Sequence, residues 1–115
     1  MIGDALTTSS QNLLTSRALR WARAGDPQAL AYLYARYADD VYEQVRTVVD
    51  DDHEAADVTR QVFARVSDAI GRGDEAREVP FRAWILRVSR DVALGHVRRR
   101  PQPQLQPRTS RIVAV

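Results

Sequence analysis

The chain has 115 residues, a length that fits one domain of ordinary size. It has no cysteine, which excludes disulfides and thiolate metal sites and favours a reducing, cytoplasmic setting. No apolar stretch approaches the ~20 residues needed to span a bilayer. The formal net charge of +2 conceals two opposed segments: residues 39–57 carry eight acids and one arginine, whereas residues 82–115 carry eight arginines and one acid. This asymmetry predicts two kinds of partner surface, one of them suited to nucleic acid.

Two helices are predicted in the first half of the chain. The first begins near Ser10, after a flexible segment at residues 1–10, and ends at Gly25; its apolar positions are Leu13, Leu14, Ala18, Leu19 and Trp21 or Ala22. Asp26 and Pro27 are typical of the N-cap and first residue of a following helix. Apolar residues at three- and four-residue steps predict that second helix: Leu30, Leu33, Tyr34, Tyr37, Val41, Val45 and Val48.

Two further helices are predicted in the second half. Three aspartates at residues 50–52 end the second helix and cap the third, which Gly71 and Gly73 end. Pro80 opens the fourth helix and Pro101 ends it. Residues 101–115, rich in proline and glutamine, are predicted to be disordered. No strand pattern occurs, so the predicted fold is all-α, a compact bundle of about four helices within residues 11–100.

The fourth helix carries the strongest indication of nucleic-acid binding. One of its faces is rich in arginine and consists of Arg87, Arg90, Asp91, Leu94 and Arg98. The helix closes with three consecutive arginines, Arg98, Arg99 and Arg100. Arginines in a last turn also complement the helix dipole, but a stripe along the whole helix favours phosphate binding. Phe81 and Trp84 lie on the apolar stripe, so we expect core packing from them and assign contact with an unpaired base to the loop at residues 72–79.

Enzyme chemistry is not indicated. The two histidines, His53 and His96, stand apart on different helices, and no glycine-rich phosphate loop or nucleophilic serine motif occurs. The acidic turn at residues 50–54 lacks the glycine and final glutamate of a calcium loop. We expect no enzymatic activity, no cofactor and no metal.

Three motifs then occur in a characteristic order. They are Gly25-Asp26-Pro27-x-Ala29-Leu30-x-x-Leu33-Tyr34-x-x-Tyr37, Ala55-Ala56-Asp57-Val58-Thr59-Arg60-Gln61-Val62-Phe63, and Pro80-Phe81-Arg82-Ala83-Trp84-Ile85-Leu86-Arg87-Val88-Ser89-Arg90-Asp91, closing on His96-Val97-Arg98-Arg99-Arg100. Over residues 17–100 the chain resembles region 2 of extracytoplasmic-function (ECF) sigma factors.

The resemblance implies two functional surfaces. The polar face of the third helix would dock on the clamp helices of the RNA polymerase β′ subunit, through Asp57, Arg60, Gln61 and Ala64. The loop and the fourth helix would read and open the promoter −10 element, through Arg82, Arg87, Arg90, Asp91, Arg98, Arg99 and Arg100. Without the resemblance, the sequence pattern predicts that this polar face of the third helix is ordinary solvent-exposed surface.

The chain also departs from the family pattern. Family members usually carry an acid at Ala56, glutamine and glutamate at Arg60 and Gln61, asparagine at Asp91 and aspartate at Gly95. We find no counterpart of region 4, which reads the −35 element, so a second sigma polypeptide could supply it, or the chain could be one domain of a longer protein. Two functions stay open: an initiation protein that binds polymerase and −10 DNA, or a sigma-like regulator or decoy that binds an anti-sigma or partner sigma protein without DNA.

Overall fold

The computed structural model describes residues 2–75 and 79–99, with side chains described from residue 12 onward. These residues form four helices: α1 (Ile2–Arg23), α2 (Pro27–Arg46), α3 (Asp52–Arg72) and α4 (Phe81–Arg99). No strand occurs among them. The predicted all-α bundle of four helices is therefore confirmed, while the predicted stop at Pro101 and the tail at residues 101–115 lie outside the described residues.

The first helix is longer than the sequence indicated. It begins at Ile2, so the predicted start near Ser10 is wrong. Residues 2–9 contain no proline, and their one glycine, Gly3, lies in the first turn. No residue in this segment therefore interrupts the helix. Its end is as predicted. Gly25 has a φ of 91°, and the amide of Asp26 donates to the carbonyl of Trp21 at 3.0 Å, which is the bonding of a Schellman turn.

Side-chain caps fix the next two helix starts. The Asp26 carboxylate accepts a hydrogen bond from the amide of Gln28 at 2.9 Å, and the Asp51 carboxylate accepts one from the amide of Glu54 at 2.9 Å. Each cap satisfies an amide that has no partner inside its helix. The cap at Asp26 was predicted, the cap of α3 was predicted from the three aspartates at residues 50–52 and falls on Asp51, and the two caps set where α2 and α3 begin.

Of the two glycines predicted to end α3, one does so. Gly73 adopts a φ of 73°, and the amide of Asp74 donates to the carbonyl of Ala69 at 2.7 Å. Gly71 lies within the helix, so the prediction that it ends α3 is wrong. Only the left-handed backbone at Gly73 can turn the chain out of the helix here, and glycine adopts it without a Cβ clash.

The core lies where α2, α3 and α4 meet. Its apolar residues with 0% exposure are Val41, Val45, Ala55, Val58, Val62, Ile85 and Ala93. Trp84 is 8% exposed, so its predicted core role is confirmed. The Phe81 ring is half-buried, with its centroid 5.2 Å from that of Tyr37 and 5.6 Å from that of Trp84.

Helix α1 packs on α2 and α3 through a narrower apolar stripe than predicted. Its buried apolar residues are Ala18, Leu19 and Ala22, whereas Leu13, Leu14 and Trp21 are exposed. A polar contact accompanies this packing: the hydroxyls of Thr15 and Tyr37, both on buried residues, lie 2.9 Å apart. The prediction is wrong for Leu13 and Leu14, because α1 has neighbours on one side only, and of the alternatives Trp21 and Ala22 it is Ala22 that is buried.

Candidate nucleic-acid interface

Helix α4 has a buried side and a charged side. Ile85, Ser89 and Ala93 are fully buried, and the Ser89 hydroxyl donates to the carbonyl of Ile85 at 2.7 Å. Because this side is fixed in the core, the opposite side faces solvent. The charged residues exposed along α4 are Arg82, Arg87, Arg90, Asp91, Arg98 and Arg99. Among them Arg87, Arg90, Asp91 and Arg98 share the face opposite the core, and the predicted Arg100 lies outside the described residues.

Most of these arginines are available to bind an anion. The Nε atom of Arg82 lies 3.3 Å from Oδ2 of Asp40 on α2. Within residues 12–75 and 79–99, Arg87, Arg90, Arg98 and Arg99 form no ion pair. Asp91, which is exposed on the same side, lowers the positive charge of the face without neutralising it.

The end of α4 is shaped by a glycine. A Cβ atom at Gly95 would lie 3.1 Å from Nη1 of Arg99, so the Arg99 guanidinium folds back over the backbone at Gly95. A larger residue there would move this guanidinium. The departure from the family pattern at Gly95 therefore affects where the charge at the end of α4 is held.

This end of α4 is also attached to the start of α3. The Nε2 atom of His96 lies 3.2 Å from Oε1 of Glu54. Sequence reasoning left His96 without a partner, because the two residues are 42 positions apart and no local pattern connects them. The contact positions the last turn of α4, which carries Arg98 and Arg99, against α3.

The polar face of α3 has the exposure that a docking surface requires. Asp57, Arg60, Gln61 and Ala64 are all exposed, at positions that share one side of the helix. Arg60 forms an ion pair with Asp57 one turn earlier. A partner that binds Asp57 must therefore displace or accommodate Arg60, at a cost of at most about 1 kcal/mol for an exposed pair.

An apolar groove adjoins this face. It lies between α2 and α3 with a volume of about 470 Å³, and its lining residues include Leu30, Tyr34, Phe63 and Ser67. The rings of Tyr34 and Phe63 pack with centroids 4.5 Å apart. Tyr34, which the helical stripe placed in the core, is 44% exposed. The apolar pattern of α2 correctly predicted which side of the helix faces the bundle. It could not predict that α1 and α4 leave the groove beside Tyr34 uncovered.

The connection between α3 and α4 was the predicted base-contacting loop. Residues 76–78 of this loop lie outside the described residues. At its start, Nε of Arg23 on α1 donates to Oε2 of Glu75 at 2.6 Å, and the Glu75 side chain is 1% exposed. Arg72 pairs with Asp68 at 2.7 Å and with Asp74 at 3.0 Å. Sequence reasoning missed the Arg23–Glu75 pair, whose members are 52 positions apart.

The described residues contain neither a cluster of metal ligands nor a helix suited to crossing a membrane. Over residues 12–75 and 79–99, no three histidine, aspartate or glutamate side chains come together as ligands for a metal ion. None of the four helices combines the length and the apolarity that crossing a bilayer demands, as judged on the part of the chain that the structure describes.

The fold and the charged outer helix define a class of protein. Residues 33–101 match the family model described as sigma-70 region 2, and the chain belongs to this family. Sigma factors are transcription initiation factors, not enzymes. The chain is also similar to a protein named ECF RNA polymerase sigma factor SigW from Bacillus subtilis (strain 168), with 23% identity over 88 residues. That match covers 76% of this chain and 46% of the relative, so the chain spans about half the relative's length.

Proposed function

We propose that this chain acts in transcription initiation by binding single-stranded promoter −10 DNA through α4 and core RNA polymerase through α3. Membership of the sigma-70 region 2 family supports the general role. The name of the Bacillus subtilis relative supports polymerase as the partner. The proposed setting is the cytoplasm, where polymerase and DNA are found together.

One observation carries the DNA half of the proposal. Arg87, Arg90 and Arg98 are exposed on one side of α4, and none has an ion-pair partner within residues 12–75 and 79–99. Binding a phosphate therefore breaks no existing ion pair. Arginine also binds phosphate in a bidentate manner, which suits it to positioning a strand.

The test of the DNA half compares two triple variants of equal charge. In the first, Arg87, Arg90 and Arg98 are replaced by alanine; in the control, the exposed arginines Arg17, Arg20 and Arg65 on α1 and α3 are replaced. Binding of a −10-like single strand is measured against salt concentration. Because log K falls with log salt, three lost phosphate contacts should make this negative slope less steep by about 2. Equal effects of the two variants would refute a specific α4 interface.

The polymerase half is supported by the exposed face of α3. Asp57, Arg60, Gln61 and Ala64 correspond to the positions at which the resemblance implies docking on the β′ clamp helices. Pull-down of core polymerase by the wild-type chain is the test. Arg60→Glu removes the Asp57–Arg60 pair and should change retention, whereas Arg17→Glu at an exposed position of α1 should not. No retention of the wild-type chain would refute this half.

A second candidate function is a sigma-like regulator or decoy that binds an anti-sigma or partner sigma protein. The observation that favours it is the Asp57–Arg60 ion pair, because Arg60 stands where the family pattern usually has an uncharged glutamine and occupies the carboxylate of the proposed docking residue Asp57. Co-purification with the Arg87, Arg90 and Arg98 triple variant separates the functions. If the chain is a decoy, the triple variant should retain the protein partner, and the wild-type chain should already show no DNA binding.

Recognition of the promoter −35 element would need a segment other than the one described. The chain covers 46% of the Bacillus subtilis relative, so activity of the whole relative does not transfer to it. We propose that another sigma segment, on a second polypeptide or elsewhere in a longer chain, supplies −35 contacts. Transcription reconstituted from core polymerase, this chain and candidate second polypeptides tests the idea.

A further inference from the structure

Arg82, in the first turn of α4, contacts an acid on another helix. Its Nε donates to Oδ2 of Asp40 on α2 at 3.3 Å, and the two residues are 42 positions apart in the sequence. Among the described residues, the other arginines of α4 form no ion pair. Arg82 also lies outside the face that Arg87, Arg90 and Arg98 share. It therefore differs from them in both its partner and its direction.

The ion pair has a structural reason that is independent of DNA. The first amides of a helix have no partner inside the helix and give its N-terminus a partial positive charge. A cation in this turn is therefore unfavourable, and the first turn of α4 contains no acidic residue of its own. The carboxylate of Asp40 supplies a negative charge beside Arg82 and attaches the start of α4 to α2.

A phosphate at Arg82 would have to compete with this carboxylate. The side chain of Asp40 is 29% exposed, whereas that of Asp68, which pairs with Arg72 on α3, is 62% exposed. The charge of Asp40 is therefore screened less by water and salt. Two negative groups at one guanidinium repel each other. A phosphate must thus displace Asp40 or bind beside it against this repulsion.

The far end of α4 is also held by an acid from another helix. Nε2 of His96 lies 3.2 Å from Oε1 of Glu54 on α3. Arg87 and Arg90 lie between the two contacts, are exposed, and have no ion-pair partner in the part of the chain that the structure describes. The arginines that are open to phosphate therefore begin after Arg82.

We infer that Asp40 competes with phosphate for Arg82, so that Arg82 contributes little to DNA binding until this carboxylate is neutralised. This inference rests on the proposed function, and it defines where the α4 interface begins. In the wild-type chain Arg82 is a positioning residue that holds α4 on α2. Because phosphate contacts carry no sequence information, the ion pair lowers the affinity for any single strand without changing which bases are preferred.

Binding of a −10-like single strand, measured against salt concentration, tests the competition. Asp40→Asn should tighten binding roughly threefold, which is within the range for an exposed ion pair. The negative slope of log K against log salt should become steeper by about 0.7, the value for one added phosphate contact on a single strand. Arg82→Gln should leave the wild-type slope unchanged, and in the Asp40→Asn background it should restore that slope.

Asp39→Asn is the matched control. It removes the same charge from the neighbouring position of α2, where Asp39 is exposed and has no ion-pair partner within residues 12–75 and 79–99. It should leave the slope unchanged. Circular dichroism checks that each variant is folded, and Asp40→Ser replaces Asp40→Asn if the asparagine variant does not fold.

Two results would overturn the inference. One is the same slope in Asp40→Asn and Asp39→Asn. The other is a slope that becomes less steep by about 0.7 in Arg82→Gln alone, because Arg82 would then already bind a phosphate beside Asp40.

A phosphate probe separates this inference from the proposed function. If wild type binds no −10-like strand, the DNA half of the proposed function fails, and titration with sodium tripolyphosphate decides the competition. The Nε–Hε resonance of Arg82 is followed by NMR during this titration. It should move several times further in Asp40→Asn than in wild type, because the probe then has no carboxylate to displace. Equal movement in the two chains would show that Asp40 does not compete.

Discussion

The imidazole of His96 lies 3.2 Å from the carboxylate of Glu54, and this contact joins the last turn of α4 to the first turn of α3. Both side chains are partly buried, at 25% and 32% exposure. The arginine-bearing end of α4 is therefore attached to the bundle just before its final charged residues. The stability of this end of α4 and its proposed capacity to hold DNA are therefore linked through this contact.

Removing the imidazole tests that link. His96→Ala should lower the free energy of unfolding by about 1 kcal/mol, because one partly buried hydrogen bond is lost. Urea denaturation followed by circular dichroism measures the change. His53→Ala, at an exposed position of α3, is the control and should stay within about 0.5 kcal/mol of wild type. An equal loss in both variants would contradict the role given to His96.

The two glycines near the end of α3 should respond in opposite directions. Gly73→Ala should destabilise the chain by about 1 kcal/mol, because its φ of 73° is unfavourable for a residue with a Cβ. Gly71→Ala should stabilise it by about 0.5 kcal/mol, since Gly71 is helical and an added Cβ meets nothing within 4 Å. Thermal unfolding of both variants gives the signs, and effects of the same sign would count against this assignment.

The cap of α3 should be specific to one of three neighbouring aspartates. Asp51→Ala should cost about 1 kcal/mol, because the amide of Glu54 loses its side-chain acceptor. Asp50→Ala changes charge equally but precedes the cap and should cost much less. Asp51→Asn should recover most of the loss, since asparagine is also a good N-cap. Urea denaturation of the three variants checks the order.

The core should be sensitive to truncation of Ile85 on α4. Ile85 is fully buried, and Ile85→Ala should cost between about 2 and 5 kcal/mol through lost burial and the resulting cavity. Ile85→Val should cost roughly 1 kcal/mol. Leu13→Ala, at a residue that is 67% exposed, should change stability little. A small effect of Ile85→Ala would mean that the bundle is loosely packed around α4.

Local signals explain why much of the fold was predictable. Asp26, Asp51 and Gly73 act on their own helix ends, and their residue types alone indicate caps or turns. The valine stripe of α2 indicates which side is buried because helix periodicity is fixed. The exposed arginines of α4 follow from the same periodicity, as residues opposite an apolar stripe.

The remaining features depend on contacts between distant residues. Glu75 reads as a solvated loop residue until α1 brings Arg23 to it. Tyr34 fits the stripe of α2 but lines a groove that none of the four described helices covers. Periodicity identifies the direction of a side chain, whereas burial depends on which element lies in that direction. Sequence patterns therefore located the candidate surfaces but missed the residues that hold them in place.

The hydroxyl contact between Thr15 and Tyr37 has a consequence for how α1 is aligned along the bundle. The buried apolar residues of α1 are Ala18, Leu19 and Ala22. Because two of them are small, apolar packing alone would allow α1 to pack on α2 in more than one axial position. A shift by one helical turn, about 5.4 Å, would leave both hydroxyls in apolar surroundings without partners, at about 1–3 kcal/mol each. A single polar contact thus selects one alignment of α1 among several of similar apolar fit, and with it the place where Arg23 meets Glu75.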